Sequence, residues 1–508
     1  MVIASEMLLV NKIIELWFER RQREIDYFCY NPVQVQEREL MSLIQYGTNS
    51  EFGLKYDFKS INSIEKFQQR VPVCDYESFV QYIDRARQGG KNVIWTTPIE
   101  WFAKSSGTTS NKSKFIPVSA ESLRDSHLRG PRDLLGMFVS LYPNTKIFDG
   151  KSLTLGGSHK LEKLTANIRT GDLSAIMIDN TPWWASWKRV PKVSTALIPN
   201  FEKKIEKICQ ETIPQNVTSF SGSPSWNMIL LQRVLEYTGK NNILEVWPNM
   251  ELFMHGGMGF EPYRKQYEQL IPTDNMKYVE AYNASEGFFA LQNEPTKRDL
   301  LLMLDYGIFY EFLPVESLGD TTKAVSVADV KLGVNYAMII STSAGLWRYM
   351  IGDTVEFTSL NPLKIKITGR TRHYINAFGE ELIIDNAEQA LSVACEKTGA
   401  VISNYTAGPV YMENGNKGSH QWLVEFAKMP DSIEKFTAEL DRRLQEVNSD
   451  YEAKRFNSTT LEAPQLTVLP DGTFYRWMQN RGKLGGQNKV PRLANNREYI
   501  DQLLELLK

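Results

Sequence analysis

The sequence predicts an α/β protein, with a large N-terminal domain and a small C-terminal α+β domain. Three observations lead there. The chain has 508 residues, 42% of them hydrophobic, which is more apolar surface than one small core holds, so two or more domains are expected. From about residue 95 to 370, short β-rich runs alternate with amphipathic segments, the rhythm of an α/β architecture. After Arg370 the pattern changes to helices and strands of a compact unit of ordinary domain size. The boundary is placed within GRTRHYINAFG, where Gly369 and Gly379 punctuate the chain, giving domains 1–372 and 373–508.

In chain order, residues 1 to about 90 read as helical, with charged and apolar side chains at helical spacing. Five β-rich runs follow: KSLTLGG (151–157), LEVWPNMELFMHGG (244–257), KYVEAYNASEG (277–287), IFYEFLPV (308–315) and YAMIISTSAG (336–345). Between them, Ser223 to Gly239 reads as a helix: Ser223 suits the cap, Pro224 the first turn and Gly239 the end. In the second domain, 385–398 and 431–447 read as helices and 421–427 and 465–469 as strands.

Composition narrows the function. Lys plus Arg is 58 and Asp plus Glu is 60, so the charge balance gives no reason to expect a nucleic-acid partner. The four cysteines (Cys29, Cys74, Cys209, Cys395) form no CxxC pair and the five histidines are dispersed. A disulfide framework or zinc site is therefore not expected, and a reducing compartment is. The apolar stretch from Met7 to Trp17 is broken by Asn11 and Lys12. It reads as an amphipathic helix on a core, not as a signal peptide or membrane span. A cytoplasmic protein with no membrane partner is expected.

Three segments carry chemistry. In FAKSSGTTSNKSKFIPVS (102–119), Ser105, Ser106, Gly107, Thr108, Thr109 and Ser110 form a hydroxyl-rich loop around one glycine, followed by Lys112 and Lys114. Backbone N–H groups and hydroxyls of such a loop wrap phosphate oxygens while a lysine offsets charge. The spacing is not GxxxxGK[ST], so a Walker-type NTPase is not indicated; the same composition also suits a surface turn. In YNASEG (282–287), Glu286 suits a Mg²⁺ ion bound mainly through phosphates, which needs only one or two carboxylates; a turn glutamate is the plainer alternative. In WRYMIGD (347–353) with GR at 369–370, Asp353 suits bidentate grip of ribose hydroxyls and Arg370 suits donation to ribose or phosphate. A β-turn aspartate and a surface arginine fit there too.

Taken as an ordered set, these segments resemble the acyl-acid amido synthetases of the auxin-responsive family, within the adenylate-forming, luciferase-like superfamily. The resemblance, to a bacterial-type member, covers nearly the whole chain. It includes EFGLKYDF (51–58), VPVCDYESFVQYIDR (71–85), SGSPSW (221–226) and GQNKVPR (486–492) beside the three segments above. It implies a large adenylate-forming domain and a small mobile C-terminal one. It implies Ser105, Ser106, Gly107, Thr108 and Thr109 as the phosphate loop with Lys114 as its lysine. By the same resemblance Tyr282 packs on adenine, Glu286 holds the metal, Asp353 grips ribose, Arg370 precedes the hinge and Lys489 is a catalytic lysine from the small domain. The activity implied is ATP- and Mg²⁺-dependent adenylation of a small carboxylic acid, then acyl transfer to an amine, an amino acid above all. An acyl-CoA ligase is the alternative within the superfamily, although the GRxxDxIK hinge pattern of many such ligases is replaced here by GRTRHYINAF, with His373 and Asn376 in it. A non-catalytic nucleotide-binding protein is the alternative of another class; it would be marked by loss of Glu286, Asp353 or the lysines, and all are present.

Overall fold

A computed structural model describes residues 2–105, 114–155, 161–165, 167–181, 186–198, 200–257, 260–371, 374–375, 377, 380, 382–411, 418–448, 451–452, 455, 461–484, 489–494 and 496–507. The chain divides into two units. The first comprises Met1–Met258, Leu270–Ile351 and Val355–Lys366; the second comprises Gly259–Gln269, Gly352–Thr354 and Ile367–Lys508. The last crossing thus falls at 366/367, ahead of the 372/373 boundary placed from sequence, and two short internal segments join the second unit. Nothing in their local composition marks them, because membership is set by packing partners far away in sequence.

The first unit opens with helices α1 (Val2–Tyr30) and α2 (Pro32–Gly47). Pro32 occupies the first turn of α2, where its missing N–H costs nothing. Helix α3 (Tyr76–Arg87) starts in a capping box between Asp75 and Ser78. Buried polar side chains fasten the N-terminal helices. Arg21 of α1 donates to Asp133 at 2.8 Å and to Asp305 at 2.5 and 2.9 Å. The buried Gln36 of α2 donates to the carbonyls of Leu304 and Ile308 and accepts from the Tyr310 N–H. Among the described residues no helix is long and apolar enough to cross a membrane.

A hairpin of β1 (Trp101–Ser105) and β2 (Lys114–Val118) belongs to a four-stranded sheet. Among the described residues the main sheet has eleven strands. In chain order the long ones are β3 (Lys151–Thr154), β4 (Val217–Gly222), β5 (Leu252–Gly256), β6 (Lys277–Ala284), β7 (Gly287–Leu291), β8 (Leu300–Leu302), β9 (Ile308–Pro314), β10 (Asn335–Thr342), β11 (Tyr349–Leu360) and β12 (Leu363–Arg370). Their spatial order is β9-β10-β11-β12-β8-β7-β6-β5-β4-β3, with the short strand Arg189–Val190 outermost. Strands β3 to β6 pair in parallel, and helix α4 (Pro224–Thr238) connects β4 to β5. Gly239 closes α4 at φ +66°, the left-handed cap expected of it, whereas Ser223 stands at the N-cap without a side-chain capping bond. Beyond β6 the sheet turns antiparallel, through β6–β7, β7–β8 and β8–β12. The expected β run 244–257 is strand only at Leu252–Gly256; a 3-10 turn occupies Ile243–Glu245, and Pro248 cannot donate to a ladder.

The start of β11 is pinned by Arg348, whose backbone is left-handed at φ +43°. Its guanidinium donates to Glu311 of β9 at 2.9 and 2.8 Å and to the carbonyls of Gln68 and Val71 at 2.8 and 2.7 Å. Its own N–H donates to Ser341 Oγ of β10. Both side chains are buried, Arg348 4% and Glu311 1% exposed.

The second unit carries α5 (Ile384–Thr398) and α6 (Ile433–Val447) with a three-stranded sheet. Its strands are β13 (Val401–Val410), β14 (Ser419–Lys428) and β15 (Gln465–Leu469), β14 lying between an antiparallel and a parallel neighbour. Trp422 packs with Leu391, Phe436 and Leu440. The next residue, Leu423, packs with Phe474, Trp477 and Leu503. Alternation along the strand therefore covers both faces. The four elements read from sequence in this region all form, within two or three residues of the expected ends.

Removing the Arg348 side chain leaves Glu311 charged and buried. We predict that Arg348→Met destabilises the fold by about 3–5 kcal/mol, read as a fall in the urea midpoint. A change below about 1 kcal/mol would contradict the account of this pair.

Candidate active site

In the first unit, Ser105 and Lys114 are directly opposed at the loop end of the β1–β2 hairpin. Ser106, Gly107, Thr108 and Thr109, with Lys112, lie outside the described residues, as do His373 and Asn376. That end of the hairpin rests on α3. Tyr76 Oη accepts from the Phe115 N–H at 2.9 Å, the Lys114 ammonium lies 5.3 Å from the Tyr76 ring centroid, and the Arg87 guanidinium lies 3.9 Å from the Phe115 ring centroid. The Ser/Thr/Gly segment thus springs from two paired strands fixed to a capped helix.

YNASEG forms the end of β6, a tight turn and the start of β7, with Ala284 opposite Gly287. Glu286 stands in that turn, half-buried. Tyr282 is 5% exposed and its ring packs against Phe289, centroids 4.9 Å apart. Tyr349, the first residue of β11, links this turn to the start of α3. Burial raises its hydroxyl well above the usual tyrosine range, and the nearby Glu286 carboxylate, Tyr76, Glu77 and Asp75 push the same way. The Tyr349 hydroxyl is buried and has no hydrogen-bond partner among the described residues. The structure therefore brings Glu286 and the Tyr76–Lys114 platform into one neighbourhood, with Tyr349 in it. Sequence reading passed over Tyr76 and Tyr349, although both sit inside or beside the quoted segments DYESF and YMIGD.

In the second unit, Arg370 Nε donates to Asp353 Oδ1 at 2.7 Å, Asp353 lying on β11 and Arg370 at the end of β12. Beside them, Thr368 donates to Thr354 at 2.9 Å. Gly352, just before Asp353, adopts φ +89°, a conformation that favours glycine. Its carbonyl accepts from the Thr371 N–H. Lys489 belongs to the same unit, and the charges of Arg370, Asp353 and Arg492 reach it. The residue keeps an exposed surface, while dense protein around the ammonium lowers it to about 8. Arg370 and Arg492 act in the same direction and Asp353 opposes them. An ammonium so placed is still largely protonated at pH 7.

Among the described residues no group of three or more His, Cys, Asp or Glu side chains is placed to hold a metal ion. Glu286 offers a single carboxylate, a donor set that fits Mg²⁺ bound mainly through phosphate oxygens and not an all-protein cage.

Known proteins match this chain over most of its length. The model of the GH3 family N-terminal domain matches residues 21–276, that of the central domain residues 301–370 and that of the C-terminal domain residues 385–498. The indole-3-acetic acid-amido synthetase GH3.4 of Arabidopsis thaliana is 23% identical, over 93% of this chain and 91% of the relative. The solved structure of the AtGH3.15 acyl acid amido synthetase in complex with 2,4-DB superposes with a TM-score of 0.77 at 17% identity, over 93% of each chain. A 2-hydroxyisobutyryl-CoA ligase in the postadenylation state, in complex with 2-HIB-AMP, gives 0.62 at 14% identity, over 93% of this chain and 91% of the other.

The Lys489 environment makes a direct prediction. Competitive acetylation should show Lys489 titrating near pH 8, below ordinary lysines. In Asp353→Asn the midpoint should fall further, because a carboxylate favouring the ammonium has gone. A midpoint unmoved by the substitution, or moved upward, would contradict this placement.

Proposed function

Because this chain belongs to the GH3 family, we propose that it is an ATP-dependent acyl-acid amido synthetase. It adenylates a small carboxylic acid and passes the acyl group to an amine, an amino acid above all. The observation that carries this reading is the meeting of Asp353, Arg370 and Lys489, far apart in sequence, within electrostatic reach of one another in the second unit. The amido synthetases among its relatives support the amide-forming direction.

In the first half-reaction a carboxylate oxygen attacks the α-phosphorus of ATP, and the bond to the pyrophosphate oxygen breaks. Both reactants are anionic, so the site must supply positive charge and N–H donors where charge builds up. In this reading the segment Ser105–Thr109 with Lys114 holds the triphosphate, Tyr282 lines the adenine, and Asp353 grips the ribose hydroxyls with Arg370 holding its carboxylate. Lys489 offsets charge at the α-phosphate as pyrophosphate leaves. Glu286 would hold Mg²⁺, which when bound neutralises charge on the leaving pyrophosphate. In the second half-reaction the amine attacks the acyl carbon, AMP departs with the carboxylate-derived oxygen, and the amine loses a proton. We place the enzyme in the cytoplasm, where ATP and amino acids are supplied.

The test is pyrophosphate release from ATP with a panel of carboxylic acids, with amino acids and CoA offered separately as acceptors. Acid-dependent release and an amide product are expected. No acid-dependent release would favour a non-catalytic nucleotide-binding protein, and consumption by CoA alone would favour an acyl-CoA ligase.

Asp353→Ala should weaken ATP binding by about tenfold to a hundredfold, since each charge-assisted hydrogen bond to ribose contributes roughly 1.5–3 kcal/mol. Calorimetry of the folded variant measures this; wild-type affinity would remove Asp353 from the nucleotide site.

A further inference from the structure

Resting on the catalytic reading of Lys489, we propose that Arg492 is a positioning residue, which sets where the Lys489 ammonium stands by anchoring the segment 489–494 to the second unit. The Arg492 side chain is buried, 9% exposed. Its Nη1 donates to Asn404 Oδ1 at 3.1 Å and to the Tyr405 carbonyl at 3.2 Å, and its Nη2 donates to Tyr263 Oη at 2.7 Å. The guanidinium carbon lies 4.7 Å from the Tyr405 ring centroid. Glu388 on α5 supplies a nearby countercharge: burial raises its carboxyl to about 7, and Arg492 pulls it back toward ionisation.

The backbone around Arg492 is fastened at the same place. The Ala407 N–H donates to the Arg492 carbonyl at 2.8 Å, Ala494 N–H donates to the Ala407 carbonyl at 3.0 Å, and Thr406 donates to the Pro491 carbonyl at 2.7 Å. Residues 491–494 are therefore held against β13 by main-chain bonds and the Thr406 hydroxyl, and locked by one buried guanidinium. Lys489 is three residues from that lock, and Pro491 between them restricts the backbone. A buried cation is costly unless every donor is met, and here the donors converge on Tyr263, Asn404 and Tyr405. Tyr263 lies in Gly259–Gln269, a segment that belongs to the second unit although its neighbours in sequence belong to the first. Gln266 of that segment donates to the Ile402 carbonyl at 3.1 Å, so the tyrosine is itself fixed on β13.

Arg492 also acts on Lys489 through charge. The groups facing the Lys489 ammonium are Arg370, Asp353 and Arg492. Removing the Arg492 cation favours protonation of Lys489 and moves the alkaline limb of adenylation to higher pH, while a neutral change at Tyr263 leaves that limb in place.

The experiment compares full-length wild type, Lys489→Ala, Arg492→Gln, Arg492→Lys and Tyr263→Phe. It measures acid-dependent ATP–pyrophosphate exchange, the KM for ATP, the pH profile, and conversion of a supplied acyl-adenylate to amide. A small displacement of a catalytic group costs up to about a hundredfold. Arg492→Gln should therefore lose about tenfold or more in adenylation kcat with little change in KM, and Arg492→Lys should recover part of it. Tyr263→Phe, which removes a single hydroxyl, should lose a few-fold and decides the matter if the Arg492 variants do not fold. Conversion of supplied acyl-adenylate should stay within about twofold of wild type. Equal losses in both half-reactions, or wild-type adenylation by folded Arg492→Gln and Tyr263→Phe, would overturn the proposal. If Lys489→Ala exchanges pyrophosphate as fast as wild type, the underlying reading of Lys489 fails and this proposal with it; normal dependence on Lys489 with no effect at Arg492 or Tyr263 removes the proposal alone.

Discussion

The buried ion pair between Arg348 and Glu311 is the contact on which the entry to β11, and with it the place of Tyr349, rests. It joins β9, the loop around Gln68 and Val71, and the entry to β11. A left-handed arginine costs on the order of 1–3 kcal/mol of backbone strain, and the fold offsets this with four guanidinium hydrogen bonds and one from its backbone N–H. The next residue is Tyr349, whose hydroxyl stands among Glu286, Tyr76 and their neighbours. Four residues further along the same strand is Asp353, which belongs to the second unit. One pinned backbone turn therefore sets the start of this strand, where Tyr349 stands.

Charge is the second constraint. Two like charges about 4 Å apart near a protein surface interact by roughly 4 kcal/mol, so a site that unites a carboxylate with a triphosphate needs fixed cations. The second unit holds Arg370, Asp353 and Arg492 within electrostatic reach of the Lys489 ammonium, and each leaves its mark on it. Within the first unit, Lys114 lies over the Tyr76 ring. Tyr282, read from resemblance as an adenine platform, is packed on Phe289 with little surface open.

Local signals in the sequence carried much of this. Pro224 and Gly239 bracket their helix because each acts within one turn, and QLTVL at 465–469 is a strand over its whole expected length. The alternation of β-rich and amphipathic segments pointed to an α/β architecture, and β3 to β6 form its parallel part. The antiparallel half was not legible, because short apolar runs such as IFYEFLP look alike in either direction of pairing. Arg348 and Glu311 are 37 positions apart and Arg492 and Tyr263 are 229 apart; neither pair has a spacing that a window of sequence can register. For the same reason the membership of Gly259–Gln269 in the second unit had no local sign. The residues around YMIGD and GQNKVPR were visible as chemistry, but Tyr349 and Arg492 inside them became notable only through their surroundings.

Oxygen isotope transfer tests the proposed chemistry most directly. A substrate acid labelled with ¹⁸O in its carboxylate is converted with ATP and an acceptor amine, and the phosphorus products are analysed by mass spectrometry. Attack of the carboxylate on the α-phosphorus, followed by acyl transfer, predicts one ¹⁸O atom in AMP and none in pyrophosphate. Label in orthophosphate, with ADP as the nucleotide product, would mean activation at the γ-phosphate and would contradict an acyl-adenylate.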